Sequence, residues 1–337
     1  MSLIFADPGG AFYSTTTQAS QGLWNSLTGS ISTSGLPAGN IESTALQINP
    51  SGGVITVPNS PGTYTYGVRF CPTATLGQTA FMVWRDPTNT AQITFNINAN
   101  GTFSALRGAT TLGTSSTSVV MVKNAWSYVE FQLLCDASVG TLAIQINGTS
   151  VLSLTGQNTK GSSTTTNIGN LLLGSNISGY YQDFYITNSS GSYNTGFLGD
   201  VQMPVSLANA NGAFTAWTAN GTTPLYNCVN ASTPADSTIF ASDSNPTDRM
   251  SVAYPTTSVT GNIVGVAHVS RMLKSTSGTR TVSQVVTNNS VDQVASAQSL
   301  NTTYTYYQQI SETDPNTSLP WTQSGFNTIQ TGLITES

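Results

Sequence analysis

The sequence predicts an all-β protein of two β-sandwich domains, on three observations. Apolar and polar residues alternate with period two along the whole chain, with Gly, Asn, Asp and Ser between the runs. No window of a dozen residues carries a helical apolar stripe, and strand and helix patterns do not alternate, so a parallel α/β sheet is excluded. The chain has 337 residues, 38% of them hydrophobic, which exceeds one comfortable core and suits two.

The alternating runs of the first half cover residues 54–57, 63–70, 80–85, 92–98, 118–123, 127–134, 141–146, 150–155, 168–174 and 182–187. Those of the second half cover 213–218, 250–253, 263–272, 280–286, 302–310 and 325–335, while 291–300, the nearest approach to a helical stripe, reads as well as a strand with a bend. Asn147-Gly148 stands between two such runs, and a two-residue hairpin turn with φ > 0 at both positions suits that pair best. Asn100-Gly101 is a second turn of this kind. A Ser/Gly/Asn-rich stretch ending at Asp200 marks the boundary between domains, placed at residue 198, giving domains 1–197 and 198–337.

Charged residues are only 7% of the chain, against roughly a quarter in ordinary soluble proteins. Thirteen Tyr, 12 Phe and five Trp spread along it argue against disorder. The net charge is −5 and no Lys/Arg cluster exists, so phosphate neutralisation, the main source of nucleic-acid affinity, is missing. No run approaches the ~18 apolar residues of a membrane-spanning helix. The opening MSLIFADPGG has neither the basic nor the long apolar region of a signal peptide, so synthesis in the cytoplasm is expected.

Residues 126–188 read AWSYVEFQL, TLAIQINGTSVLSLTG and NIGNLLLGSNISGYYQDFYITN around Trp126, Asn147, Gly148, Gly169, Gly174, Gly179 and Asp183. This block resembles the second half of a laminin-G/concanavalin-like jelly roll, a resemblance extended to residues 1–197. The first 60 residues are an arm, a partner-specific addition or divergent first strands. A second set is Phe197-Leu198-Gly199-Asp200-Val201, Gly278-Thr279-Arg280, Glu312, Asp314-Pro315, Thr317 and Trp321-Thr322. It resembles a family of tailed-bacteriophage virion proteins in which a jelly roll precedes a smaller β-sandwich. The resemblance implies a structural virion component (fibre, decoration or tail adhesion protein) released by lysis. Its partners would be other capsid or tail proteins and its own copies, a trimer being the first choice.

Candidate chemistry is sparse, and the expectation is a protein that is not an enzyme. His268 is the lone histidine, and with no motif supplying a nucleophile it reads as structural. Glu130 is the one sheet-borne acid, with no second acid two residues away to complete the carboxylate pair of a glycosidase. No cofactor is expected. Calcium needs several carboxylates, and Asp183 is the weak metal candidate, a turn or edge role being the alternative. The alternative function is a lectin for host surface glycans, with a glycan depolymerase behind it. Trp84, Tyr180 and Tyr181 are its candidate binding residues, where core packing is favoured for Trp84 and both readings stay open for the tyrosines. Cys71, Cys135 and Cys228 read as free thiols, with a Cys71–Cys135 disulfide as the alternative. Tyr304, Tyr306 and Tyr307 suit either a subunit interface or a strand inside a sandwich.

Overall fold

The computed structural model describes the whole chain except residues 175–176 and 232–233, together with the side chains of 49–51. It is an all-β structure in two compact units, Met1–Pro204 and Val205–Ser337. Helix among the described residues is confined to four-residue turns such as Thr16–Ala19, which Thr15 caps, and Gln323–Phe326, which Thr322 caps.

The first unit contains β1 (Leu3–Asp7), β2 (Ser26–Ser32), β3 (Ala45–Ser60), β4 (Thr63–Pro72), β5 (Thr79–Arg85), β6 (Ala91–Ile97) and β7 (Phe103–Arg107). It continues with β8 (Thr110–Thr114), β9 (Ser127–Leu134), β10 (Gly140–Ile146), β11 (Thr149–Gln157), β12 (Ile168–Leu173) and β13 (Gly179–Asn188). Hydrogen bonding runs in the order β11-β10-β9-β4-β13-β3-β12-β5-β6-β7-β8, with β1 on β13 and β2 on β3. The long strand β3 joins two layers: Leu46 and Gln47 pair with β13, whereas Gly53 to Ser60 pair with β12. Gly53 is required at the crossing, because a Cβ there would lie 2.8 Å from the Trp24 ring.

The two layers close on an aromatic core. Phe70, Phe81, Phe95, Phe103, Phe131 and Tyr181 are fully buried, with ring centroids such as Phe70–Tyr181 and Phe95–Phe131 within 5 Å. Each such ring contributes about 1.5–3 kcal/mol by leaving water. Asp7 pins the N-terminal segment, accepting from Gly9 N (2.7 Å), Tyr13 Oη (2.8 Å) and Trp24 Nε1 (2.8 Å).

Asn147 and Gly148 take φ of 49° and 74°, the double left-handed turn expected of them. At Asn100-Gly101 only Gly101 is left-handed (81°), and the turn closes through Asn98 N to Thr102 O instead. Residues 118–123 are not a strand: Met121 N donates to Gly101 O, which folds this segment over that turn as a loop. The first 60 residues are no free arm, since they supply β1, β2 and β3 to the sheet. All three cysteines are free.

The second unit contains β14 (Ala210–Thr215), β15 (Thr218–Asn220), β16 (Phe240–Ser242), β17 (Arg249–Ala253), β18 (Val266–Met272), β19 (Thr281–Asn288), β20 (Val291–Val294), β21 (Gln298–Ser299), β22 (Thr305–Ser311) and β23 (Gln330–Thr335). One sheet runs β14-β17-β23-β19-β20, with β21 on β19; β18 pairs with β22 and β15 with β16. Met250, Val252, Met272, Val282 and Leu333 form one apolar cluster, and Val266, Val286, Trp321 and Ile329 a second. The Gln284 amide ties the layers together by donating to the carbonyls of His268 and Tyr307. The stretch 291–300 forms two short strands, β20 and β21.

Candidate functional site

Strand pleating sends alternate residues of β9, β4 and β13 to the face turned away from the aromatic core. Cross-strand register arranges these outward residues in three rows: Tyr128–Arg69–Gln182, Glu130–Gly67–Tyr185 and Gln132–Thr65–Thr187. The outward side of a sandwich layer ordinarily faces water. Here Arg69, Tyr128, Glu130, Gln182 and Tyr185 are all buried.

A bulge in β13 adds one more group. Asp183 sits at φ 53°, and there the pairing with β4 shifts between Gln182 and Tyr185. The bulge turns its carboxylate onto the outward face, where Oδ2 lies 3.5 Å from Arg69 Nε and Oδ1 accepts from Met203 N at 3.0 Å. Burial raises the Asp183 carboxyl to about 7; repulsion from Glu42 adds to this, and Arg69 opposes it. The guanidinium of Arg69 also pairs with Asp200 and lies 5.7 Å from the Tyr128 ring centroid.

Glu130 is the hub of the middle row. Its Oε1 accepts from Tyr185 Oη and from the backbone amides of Leu198 and Gly199, both at 2.9 Å. Its Oε2 is buried without a hydrogen-bond partner among the described residues. Burial raises the Glu130 carboxyl, against the hydrogen bonds from Tyr185 and the two amides. Burial, followed by repulsion from Glu130, lifts the Tyr185 hydroxyl well above its ordinary value. The rings of Tyr128 and Tyr185 stack at 6.4 Å and 14°.

The face ends in a half-buried aromatic pair, Trp126 and Tyr180, 6.5 Å apart with a 36° tilt. Two segments lie across it. Residues 37–44 contribute Pro37 O to Trp126 Nε1, and the carbonyls of Glu42 and Thr44 to Gln182 Nε2. Residues 198–203 contribute the amides and Asp200 already described.

Of the residues predicted for binding, Tyr180 alone lies on this face. Trp84 takes the core packing favoured for it and Tyr181, left open, is a core residue too, so neither binds at this face; both are 0% exposed, Tyr181 packing on Phe70 and Phe81 and Trp84 on Tyr64. Asp183, the metal candidate, faces a guanidinium and a backbone N–H, so its two oxygens already have a cation and a donor beside them. Among the described residues no group of three or more His, Cys, Asp or Glu is placed to hold a metal. His268 is buried in β18, and desolvation lowers it to about 4, so it is neutral. Tyr304 and Tyr306 flank Arg271, with ring centroids 5.0 and 4.9 Å from its guanidinium carbon, and Asp236 pairs with its other edge.

Sequence reasoning missed Arg69, Tyr128, Gln132, Gln182 and Tyr185. The available signal was Arg69 in the apolar strand TYTYGVRF, since a buried Arg demands a partner.

No protein-family model and no curated protein matches the chain. Among solved structures it is similar to an endo-β-1,4-glucuronan lyase from the fungus Trichoderma reesei, at 11% identity over 56% of this chain and 96% of that one, TM-score 0.39. It is similar to the alginate lyase Aly36B at 14% identity over 43% of this chain and 81% of that one, TM-score 0.31. It is also similar to domain 4 of AbnA, an extracellular arabinanase from Geobacillus stearothermophilus in complex with arabinotriose, at 15% identity over 56% and 92%, TM-score 0.37. What these share with the chain is β-sandwich architecture, and no residue role is carried over. They correct the expectation that the chain is not an enzyme, because the neighbours named are two lyases and an arabinanase; that expectation is withdrawn. None of the three is a virion protein, and the virion resemblance gains no support from them.

Proposed function

We propose that the first unit recognises carbohydrate through the outward face of β9, β4 and β13. The observation that carries this reading is the composition of the face. Two half-buried rings, Trp126 and Tyr180, continue into the amides of Gln132 and Gln182, the guanidinium of Arg69 and the carboxyls of Glu130 and Asp183. A sugar offers apolar C–H faces that stack on rings, and hydroxyls that both donate and accept. Glu130 Oε2 and Gln182 Oε1 on this face are buried without a hydrogen-bond partner among the described residues, and a sugar hydroxyl would satisfy each.

A glycan-cleaving reaction at the same face is the second reading, supported by the Tyr185–Glu130 hydrogen bond. A carboxyl whose pKa burial has raised is suited to give up a proton to a leaving oxygen. Glu130 and Asp183 are then the acids to replace; they stand on the same outward face, on β9 and β13 either side of β4.

A glycan array with the full chain and with Tyr180→Ala tests the first reading. Binding that the substitution weakens supports it; no binding to any glycan by a folded protein contradicts it. Release of reducing ends from the glycans that bind, lost in Glu130→Gln, distinguishes cleavage from binding alone.

A further inference from the structure

The segment 198–203 has no regular secondary structure, and the groups it presents to the face are those a ligand would present. The Asp200 carboxylate sits on the Arg69 guanidinium. The Leu198 and Gly199 amides converge on one oxygen of Glu130, and the Met203 amide reaches Asp183. Just after these two amides the chain turns through Gly199 at φ 81°, a conformation that strains other residues. Space does not demand that glycine, because a Cβ there would meet nothing within 4 Å.

We infer that this segment is a built-in competitor for the face, and that the ligand it competes with carries a carboxylate. The inference rests on the carbohydrate reading above and deepens it to uronic-acid-type, anionic glycans. The Arg69 side chain is 7% exposed and that of Asp200 is 50% exposed, so solvent reaches the ion pair from the Asp200 side. A planar guanidinium accepts a ligand carboxylate in the same way it accepts Asp200. Sugar hydroxyls can take over donation to Glu130 and Asp183, so each contact of the segment has a replacement. A neutral glycan has no replacement for Asp200. Because Arg69, Glu130 and Asp183 are free only while the segment is displaced, apparent affinity is lowered by the fraction of molecules in that open state.

The experiment is titration calorimetry of the full chain and of Asp200→Ala and Asp200→Asn, with an oligoglucuronate and a neutral oligoglucose of equal length. Thermal unfolding verifies that each variant is folded. Both variants should bind the oligoglucuronate about tenfold more tightly than the parent chain, with the neutral sugar changed much less. Unchanged affinity for the oligoglucuronate in both variants overturns the competitor. Equal gains for both sugars overturn the carboxylate preference while keeping the competitor. Absence of binding by every folded form overturns the carbohydrate reading itself.

Discussion

The ring of Tyr185 occupies the space that a side chain at residue 67 would need. A Cβ on Gly67 would lie 2.1 Å from Tyr185 Cε1, so the glycine is what allows this ring to lie across β4 and reach Glu130. Gly67→Ala therefore pushes Tyr185 off Glu130. The expected cost is about 1–3 kcal/mol of stability from overpacking, together with loss of glycan binding. Denaturant unfolding and calorimetry check the two effects separately.

Glu130 accepts three hydrogen bonds on one oxygen, and its two simplest replacements separate that role from its charge. Glu130→Ala leaves Tyr185 Oη and the Leu198 and Gly199 amides without this acceptor, and should cost about 2–4 kcal/mol. Glu130→Gln keeps a carbonyl oxygen in place and should cost less than half as much. Urea unfolding of the two variants decides it.

Asp183 sets a pH dependence of opposite sign to that of an ordinary surface carboxylate. Burial raises it to about 7 in the folded chain, while the unfolded value is about 3.9. Between those values the folded chain retains a proton that the unfolded chain has released. Stability contributed by this group is therefore full below about pH 4 and falls as pH rises to about 7, by at most ~1.4 kcal/mol per unit. Asp183→Asn should flatten that slope. Urea midpoints of both proteins across this range, at constant ionic strength, measure it.

Tyr180 is half-buried beside Trp126, and no core ring depends on it. Tyr180→Ala should weaken glycan binding by about tenfold, the magnitude of one ring stacking contact, and shift the melting temperature by only a few degrees. Tyr181→Ala should do the reverse, costing about 3–5 kcal/mol by leaving a cavity between Phe70 and Phe81. The pair of variants, compared in melting and binding, separates face from core.

Most of the strands and the Asn147-Gly148 turn were legible in the sequence because each depends on residues within a few positions, whereas β1, β2 and β8 were not read and 118–123 was read wrongly as a strand. The Tyr180/Tyr181 assignment was not, for a local reason. Counting alternation back from the buried Ile186 puts Tyr180 inside and Tyr181 outside; the bulge at Asp183 inserts one residue and reverses both. The second acid was invisible for a non-local reason: β4 places Glu130 and Asp183 on one face, which neither the spacing nor the composition of either strand encodes. The boundary differs for a similar cause. Residues 198–204 read as the start of the second domain, yet the first unit extends to Pro204 because carboxylates at positions 130 and 183 and the Arg69 guanidinium hold the segment.

Amide hydrogen exchange of the full chain with and without a bound oligoglucuronate tests the central claim most directly. The account predicts slower exchange in peptides from β9, β4 and β13 and faster exchange at Leu198, Gly199 and Met203, whose amides lose their carboxylate acceptors as the ligand displaces them. Unchanged exchange across β9, β4 and β13, with protection appearing elsewhere in the chain, would contradict it.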